Sequence, residues 1–252
     1  MIKQFIRKRG KIAFGLLNTH IRRIGSDYDP GVWWDAAFYT AGVSDQGTIA
    51  PQKDLYATKY HYASVEMMIL RHLRSSQFLV DQSRILDIGS GSGHWIDFYS
   101  SLGAREVVGM DVSTTSCAHL KDKYSTHATV AIRHGKAADV IPGIDGEFDV
   151  VNAIGVMFHV VDNREWEQTI HAASAALRKG GIFIIGGHFG YLDGLNVQID
   201  RDGAINKRLR SRWHWKRCLR KAGFREFRLY TNQAYLWIQD SLPENNILIA
   251  TK

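Results

Sequence analysis

Ile85-Leu86-Asp87-Ile88-Gly89-Ser90-Gly91-Ser92-Gly93-His94-Trp95 is the stretch whose reading decides the fold. It runs from a short apolar segment into a turn with glycine at every second position, then into a segment of helical character, as a buried strand, a tight turn and a helix start would. Glycines suit such a turn because a Cβ would hold the backbone away from a ligand, and the following helix offers free amide N–H groups. Further on, Asp111 closes another apolar run, Val107-Val108-Gly109-Met110. An acid ending the next strand can accept hydrogen bonds from ribose hydroxyls, so the two segments together predict a nucleoside-cofactor pocket.

The nicotinamide fingerprint G-x-G-x-x-G fits in neither register: counting from Gly89 puts His94 at the last glycine, and counting from Gly91 puts Ile96 there. What stands here is D-x-G-x-G-x-G, which resembles motif I of the class I S-adenosylmethionine-dependent methyltransferases. A dinucleotide needs the helix N-terminus for its pyrophosphate. S-adenosylmethionine instead brings an ammonium group and a sulfonium, which suit an acid such as Asp87 just ahead of the glycines. The resemblance implies a Rossmann-like α/β fold with a seven-stranded, mostly parallel sheet, helices on both faces and an antiparallel C-terminal hairpin. It also implies that Asp87, Gly89, Ser90, Gly91, Gly93, Asp111, Val112 and Ile154 hold the cofactor.

The later chain continues the resemblance from about Ser83 to Lys252. Cys117 to Lys121 reads as a helix and Ala128 to Ile132 as a third strand, ending in Gly135-Lys136-Ala137-Ala138-Asp139. In the family this loop usually carries an acid that reads the adenine amino group; Lys136 stands directly after the glycine here, so Asp139 or main-chain atoms of Ala137 and Ala138 are expected to take that role. Glu147 to Val160 resembles the fourth strand and the segment after it. Leu177 to Ile185 resembles a helix end, a Gly180-Gly181 turn and the fifth strand. Phe224 to Tyr230 and Asn246 to Thr251 resemble the closing hairpin.

At 252 residues with 45% hydrophobic content, the chain can build a full core. Residues 1–82 are expected to form an N-terminal helical cap or lid, and residues 83–252 the cofactor-binding catalytic domain. Only Cys117 and Cys218 occur, far apart, so neither a disulfide framework nor a cysteine metal site is suggested. No apolar run approaches the ~18 residues that span a bilayer, and a cytoplasmic location is expected.

Most of the excess in the net charge of +7 sits in two clusters. In residues 1–24, Ile2, Phe5, Ile6, Ala13, Leu16, Leu17 and Ile24 recur at helical spacing opposite lysines and arginines, as in a helix that contacts an anionic membrane surface or packs on its own domain. The second cluster runs from Lys207 to Lys221 and interleaves Trp213 and Trp215 with arginines. It reads either as a stacking surface for nucleic acid or as the last amphipathic helix of the fold, with Leu209, Trp213, the Lys216 stem, Leu219 and Ala222 facing inward. Nucleic acid is the less favoured partner, and a small-molecule or glycoside acceptor is expected; the oligomeric state is not legible.

The acceptor pocket is expected from loops at the carboxyl ends of the strands together with the cap. Trp33, Trp34, Tyr60, His61, Tyr62 and Tyr191 are its candidates, either as a lid that excludes water or as packing between cap and domain. An alcohol acceptor must lose a proton as it attacks, and histidine suits that task near neutral pH. His159, after the fourth strand, is the first candidate base, with a structural histidine as the alternative; His188, after the fifth, is the second. A divalent ion held by His159, Asp162 or His188 is conceivable, but no spacing supports it. The expectation is O-methylation of a small molecule, with an N-methyltransferase, an RNA-modifying enzyme and a non-catalytic cofactor-binding regulator as rivals.

Overall fold

Ile85 and Leu86, adjacent in the first strand, are both fully buried and enter different core clusters, as expected of a strand covered on both faces. The computed structural model describes residues 28–49, 54–190, 196–199, 205–231 and 246–252; the basic segment 1–24 and Tyr191 lie outside them. Five parallel strands, β1 (Arg84–Ile88), β2 (Glu106–Asp111), β3 (Val130–His134), β4 (Phe148–Ile154) and β5 (Leu177–Gly187), form the main sheet. A separate two-stranded wing follows, β6 (Asn196–Ile199) and β7 (Ile205–Leu209), and then the closing hairpin β8 (Glu226–Tyr230) and β9 (Asn246–Thr251). The strand order is β3-β2-β1-β4-β5-β9-β8, with β9 antiparallel to both neighbours. The chain runs outward from β1 in one direction and from β4 in the other, so a ligand crevice opens between the carboxyl ends of β1 and β4.

Ahead of the sheet lie α1 (Pro30–Ala41), α2 (Asp45–Ile49) and α3 (Leu55–Ser76). Between strands come α4 (His94–Ser101), α5 (Thr114–Lys123), α6 (Ala137–Val140) and α7 (Asn163–Ala176), and α8 (Arg212–Lys221) precedes the hairpin. Side chains of Asp29, Asp54, Ser113, Asp162 and Ser211 accept the amide N–H three residues on and so begin five of these helices.

Leu86, Val108, Val151 and Phe183 meet Trp166 of α7 and Trp215 and Leu219 of α8 on one face of the sheet. Ile85, Val107, Val150 and Ile184 meet Trp95, Ile96 and Tyr99 of α4 on the other, together with Val65, Ile69 and Leu73 of α3. The later part of the expected cap is therefore built into the core of the sheet.

Three boundaries differ from expectation. The third strand starts at Val130, two residues late, because His127 to Thr129 are spent in a turn closed by Val130 N–H to the His127 carbonyl. The helix before β5 stops at Ala176, not at Lys179. Gly180, at φ +76°, instead sits in a strand irregularity between the pairings of Phe148 with Leu177 and Val150 with Ile182. There Arg178 Nε reaches Asp149 at 2.5 Å, and Gly180 N–H donates to the Lys252 carbonyl.

The basic stretch also divides: Lys207 to Leu209 belong to β7, and the helix begins only at Arg212. That start places Trp215, Cys218 and Leu219 inward and leaves Trp213 64% exposed, a correction to the expected inward face. Trp215 packs edge-on against Trp166 at 4.5 Å, Arg210 stacks over Trp166 at 4.4 Å, and Arg208 and Arg210 are buried. Three of the seven tryptophan and arginine side chains in the stretch are thus used inside, while Arg212, Trp213, Arg217 and Arg220 stay exposed.

Ile69 is 0% exposed at the centre of the α3 contact. Ile69→Ala should lower the unfolding free energy by about 2–5 kcal/mol, seen as an earlier midpoint in a urea titration; a loss below ~1 kcal/mol would show a core complete without α3.

Candidate active site

Gly89, Gly91 and Gly93 all take positive φ, at +71°, +54° and +89°. A Cβ on Gly89 would lie 2.3 Å from Val156 Cγ2 and one on Gly91 2.7 Å from Thr48 Cγ2, so both conformation and packing require glycine. The amides of Gly89 and Ser90 donate to the Met110 carbonyl at 2.7 and 3.0 Å. One residue on, the Gly91 amide donates to Asp111 Oδ2 at 2.9 Å, while the Ser113 amide donates to Asp111 Oδ1 at 2.9 Å. Asp111 thereby clamps the turn after β1 to the turn after β2. Burial pushes its carboxyl upward and these amides oppose that shift.

Asp87 lies fully buried behind the glycine turn and is not part of the cavity wall, so it does not present the direct contact expected of it. Its Oδ1 accepts from Asn152 Nδ2 at 2.7 Å, and its Oδ2 has no hydrogen-bond partner among the described residues. Burial pushes the carboxyl up to about 6, with the Asn152 and Ser90 hydrogen bonds opposing. At neutral pH this remains a mostly ionised acid beneath the turn, an environment that favours a cationic ligand.

A cavity of about 360 Å³ opens above the turn. One end is walled by Asp111, Val112, Gly135, Lys136 and Ala137, and the other by Trp33, Trp34, Phe158, His159, His188 and Lys207. Gly89, Ser90, Gly91, Ile154, His61 and Tyr62 line its middle. Ala138, Asp139 and Tyr60 do not reach it, and Tyr60 is 38% exposed on α3. The acid on the wall beside Lys136 is Glu165, which pairs with Lys136 Nζ at 3.0 Å and sits in the first turn of α7. Glu165 is far from the β3 loop in sequence; its only local signal is its place three residues after the capping Asp162.

Two attachments hold the N-terminal elements over the cavity. Asp35 of α1 accepts from Ser113 Oγ at 2.5 Å, Thr114 Oγ1 at 2.7 Å and the Thr115 amide at 2.9 Å, and so caps α5 from outside. Burial opposes ionisation, but these three donors outweigh it and hold the carboxyl down to about 2. Asp45 of α2 accepts from Ser92 Oγ at 2.6 Å and pairs with His94 Nδ1 at 3.0 Å. His94 Nε2 reaches Glu66 at 2.7 Å, and its ring stacks on Tyr62 at 3.6 Å. Two carboxylates therefore meet the first residue of α4, where a dinucleotide would place its pyrophosphate; such an anion is disfavoured there and a zwitterionic group is not.

His159 is 8% exposed, with Trp34 edge-on at 5.2 Å and Trp33 at 6.1 Å. Its Nδ1 lies 2.9 Å from the Asn206 carbonyl. A carbonyl only accepts, so Nδ1 carries the proton and Nε2 keeps its lone pair. Burial first, and then the nearby Lys207 charge, bring the ring's pKa down to about 3. A ring this hard to protonate is a hydrogen-bond acceptor and a poor base for an ordinary alcohol. Among the described residues, no three metal-ligating side chains converge in the cavity.

Residues 85–181 match the family model described as a methyltransferase domain. The matched span runs from β1 into β5. The chain is also 26% identical over 133 residues to an uncharacterized protein of a Synechococcus strain, a match that takes in 52% of this chain and 30% of that relative. The chain thus spans under a third of the length of that curated relative. Its fold resembles that of the 1,6-didemethyltoxoflavin N1-methyltransferase of Burkholderia thailandensis, with a TM-score of 0.63, 16% identity and 91% and 93% of the two chains covered. It also resembles the magnesium protoporphyrin IX methyltransferase of Synechocystis, with a TM-score of 0.63, 15% identity and 88% and 99% covered.

The Asp35 clamp has a pH signature. Its folded pKa lies below the ordinary 3.8, so its stabilisation is present above that value and is lost as pH falls through about 2. For a partly exposed carboxylate this amounts to about 1 kcal/mol after solvent screening. Asp35→Asn should be less stable than the parent at neutral pH, and the gap should close near pH 2; paired urea titrations across that range check it, and a gap independent of pH would refute it.

Proposed function

We propose that the chain transfers the methyl group of S-adenosylmethionine to a small-molecule ring whose acceptor atom is already nucleophilic at neutral pH. The observation that carries this reading is the continuity of one cavity from Asp111 to His159. The cofactor's nucleoside would lie along Asp111, Val112, Lys136 and Ala137, and its amino-acid end over Gly89, Ser90 and Gly91 with the buried Asp87 charge beneath. When bound, the cofactor supplies a methyl group on positively charged sulfur, an electrophile that needs no further activation.

The chain's own residues supply position and exclusion of water. Trp33 and Trp34, edge to face at 4.8 Å, and Phe158 offer ring surfaces to a flat acceptor. His159 Nε2 can accept one N–H or O–H from it, and Lys207 favours an acceptor carrying negative charge. A ring nitrogen, an acidic ring hydroxyl or a carboxylate fits these groups. An aliphatic or sugar hydroxyl does not, because each pK unit between it and a base with pKa about 3 adds about 1.4 kcal/mol to the proton transfer. The structurally similar enzymes act on 1,6-didemethyltoxoflavin and magnesium protoporphyrin IX, which supports a small-molecule acceptor.

Methyl-labelled cofactor incubated with a panel of heteroaromatic amines, phenols, carboxylates and glycosides tests the reading. Transfer to the first three with release of S-adenosylhomocysteine supports it; transfer to glycosides alone overturns the acceptor class. His159→Phe should lower kcat/KM by about 10- to 100-fold, the range for one buried hydrogen bond. The parent should show no protonation step near the ordinary histidine pKa of about 6.5 that this variant removes. Such a step would instead make His159 the base.

A further inference from the structure

On the face of the domain formed by α7 and α8, away from the cavity, three side chains of unlike chemistry converge. His214 and Cys218 stand one turn apart on α8, and Glu167 projects from α7. A carboxylate oxygen, an imidazole nitrogen and the thiol sulfur of this trio lie within 4.8 Å of one another. A tetrahedral ion with bonds of 2.0–2.3 Å holds its ligand atoms roughly 3.3–3.8 Å apart, a difference that rotamer adjustment can close. None of the three lines the cavity.

We propose that Glu167, His214 and Cys218 form a binding site for one divalent ion of the zinc class. Sulfur, nitrogen and oxygen donors together select a borderline-soft ion over magnesium or calcium, which take oxygen. Burial is graded across the site: Cys218 is buried, His214 intermediate and Glu167 exposed. The floor is therefore dry enough for a strong thiolate bond, while the solvent side gives the ion an entry path and a water as fourth ligand. The carboxylate and the thiolate together balance the charge of a divalent ion.

Burial, with Glu167 beside it, pushes the Cys218 thiol up, and Arg217, Lys221 and Arg210 partly offset this. The metal-free site thus holds a thiol, and binding is an exchange: a sulfur–metal bond forms as the S–H bond breaks and the proton leaves to solvent. The bound ion would fasten α8 to α7 beside the stack of Arg210 on Trp166. This proposal rests on neither the cofactor nor the acceptor.

The untagged full chain, stripped with a chelator, would be titrated with cobalt(II) and then zinc(II). The expected result is one ion per chain, a thiolate-to-cobalt charge-transfer band, visible bands of four-coordinate cobalt, loss of both on adding zinc, and a raised thermal midpoint. Cys218→Ser should abolish the charge-transfer band, and His214→Ala should weaken zinc binding by at least about tenfold, or 1.4 kcal/mol. Circular dichroism checks that each variant folds; should Cys218→Ser fail to fold, His214→Ala and Glu167→Gln, which keep the thiol, decide the matter. Three results overturn the proposal: no saturable binding, a thiolate band that survives in Cys218→Ser and so belongs to Cys117, or zinc affinity unchanged in His214→Ala.

Discussion

Asp111 holds two turns together with one carboxylate, and the cavity depends on that clamp. Its oxygens take the Gly91 amide from the turn after β1 and the Ser113 amide from the turn after β2. Both donors are backbone groups at the carboxyl edge of the sheet, so the floor of the site is fixed by main-chain geometry. Ser113 extends the arrangement outward: its amide serves Asp111 and its hydroxyl serves Asp35, so α1 hangs from the same turn. Thr48 of α2 lies against Gly91. The aromatic cover and the glycine-turn floor are thus referenced to one another through a few short hydrogen bonds, as the proposed methyl transfer would require.

The glycine-turn half of the cavity was legible because its information is local. An apolar run, glycines at every second position and an acid closing the following strand lie within a single βαβ unit, and Gly89, Ser90, Gly91, Asp111, Val112 and Ile154 all line the cavity. Asp87 was legible as an important acid but not as a buried one, since strand alternation that sends Leu86 and Ile88 to one face leaves Asp87 pointing to the other. The aromatic half of the cavity was only partly legible. Trp33, Trp34, His61 and Tyr62 stood out by residue type, whereas Lys207 and the Asn206 carbonyl act on His159 from 48 and 47 positions away. No period or motif links such positions; only the folded wing does. Trp213 and Trp215 show the same limit, because a helix start displaced to Arg212 changes which of them is buried.

The chemistry follows from where charge is and is not allowed. The His159 ring is surrounded by indole and phenyl groups and stands near the Lys207 ammonium, so it stays neutral. An enzyme that uses this ring cannot also rely on it for strong base catalysis. On the proposed reading, reactivity comes from the acceptor itself and the protein's contribution is geometric: an aromatic slot, one directed lone pair and a methyl donor held in place.

The β6–β7 wing forms its own two-stranded sheet, apart from the seven-stranded one. It meets the post-β4 loop through Arg208 N–H to the Phe158 carbonyl, contributes Lys207 to the far wall and sets the Asn206 carbonyl against His159. On the proposed reading, the acceptor end of the cavity is therefore completed by a different ribbon from the one that holds the donor. A change of sequence in the wing would then reshape that end while the glycine turn and its Asp111 clamp, built within the main sheet, stay as they are.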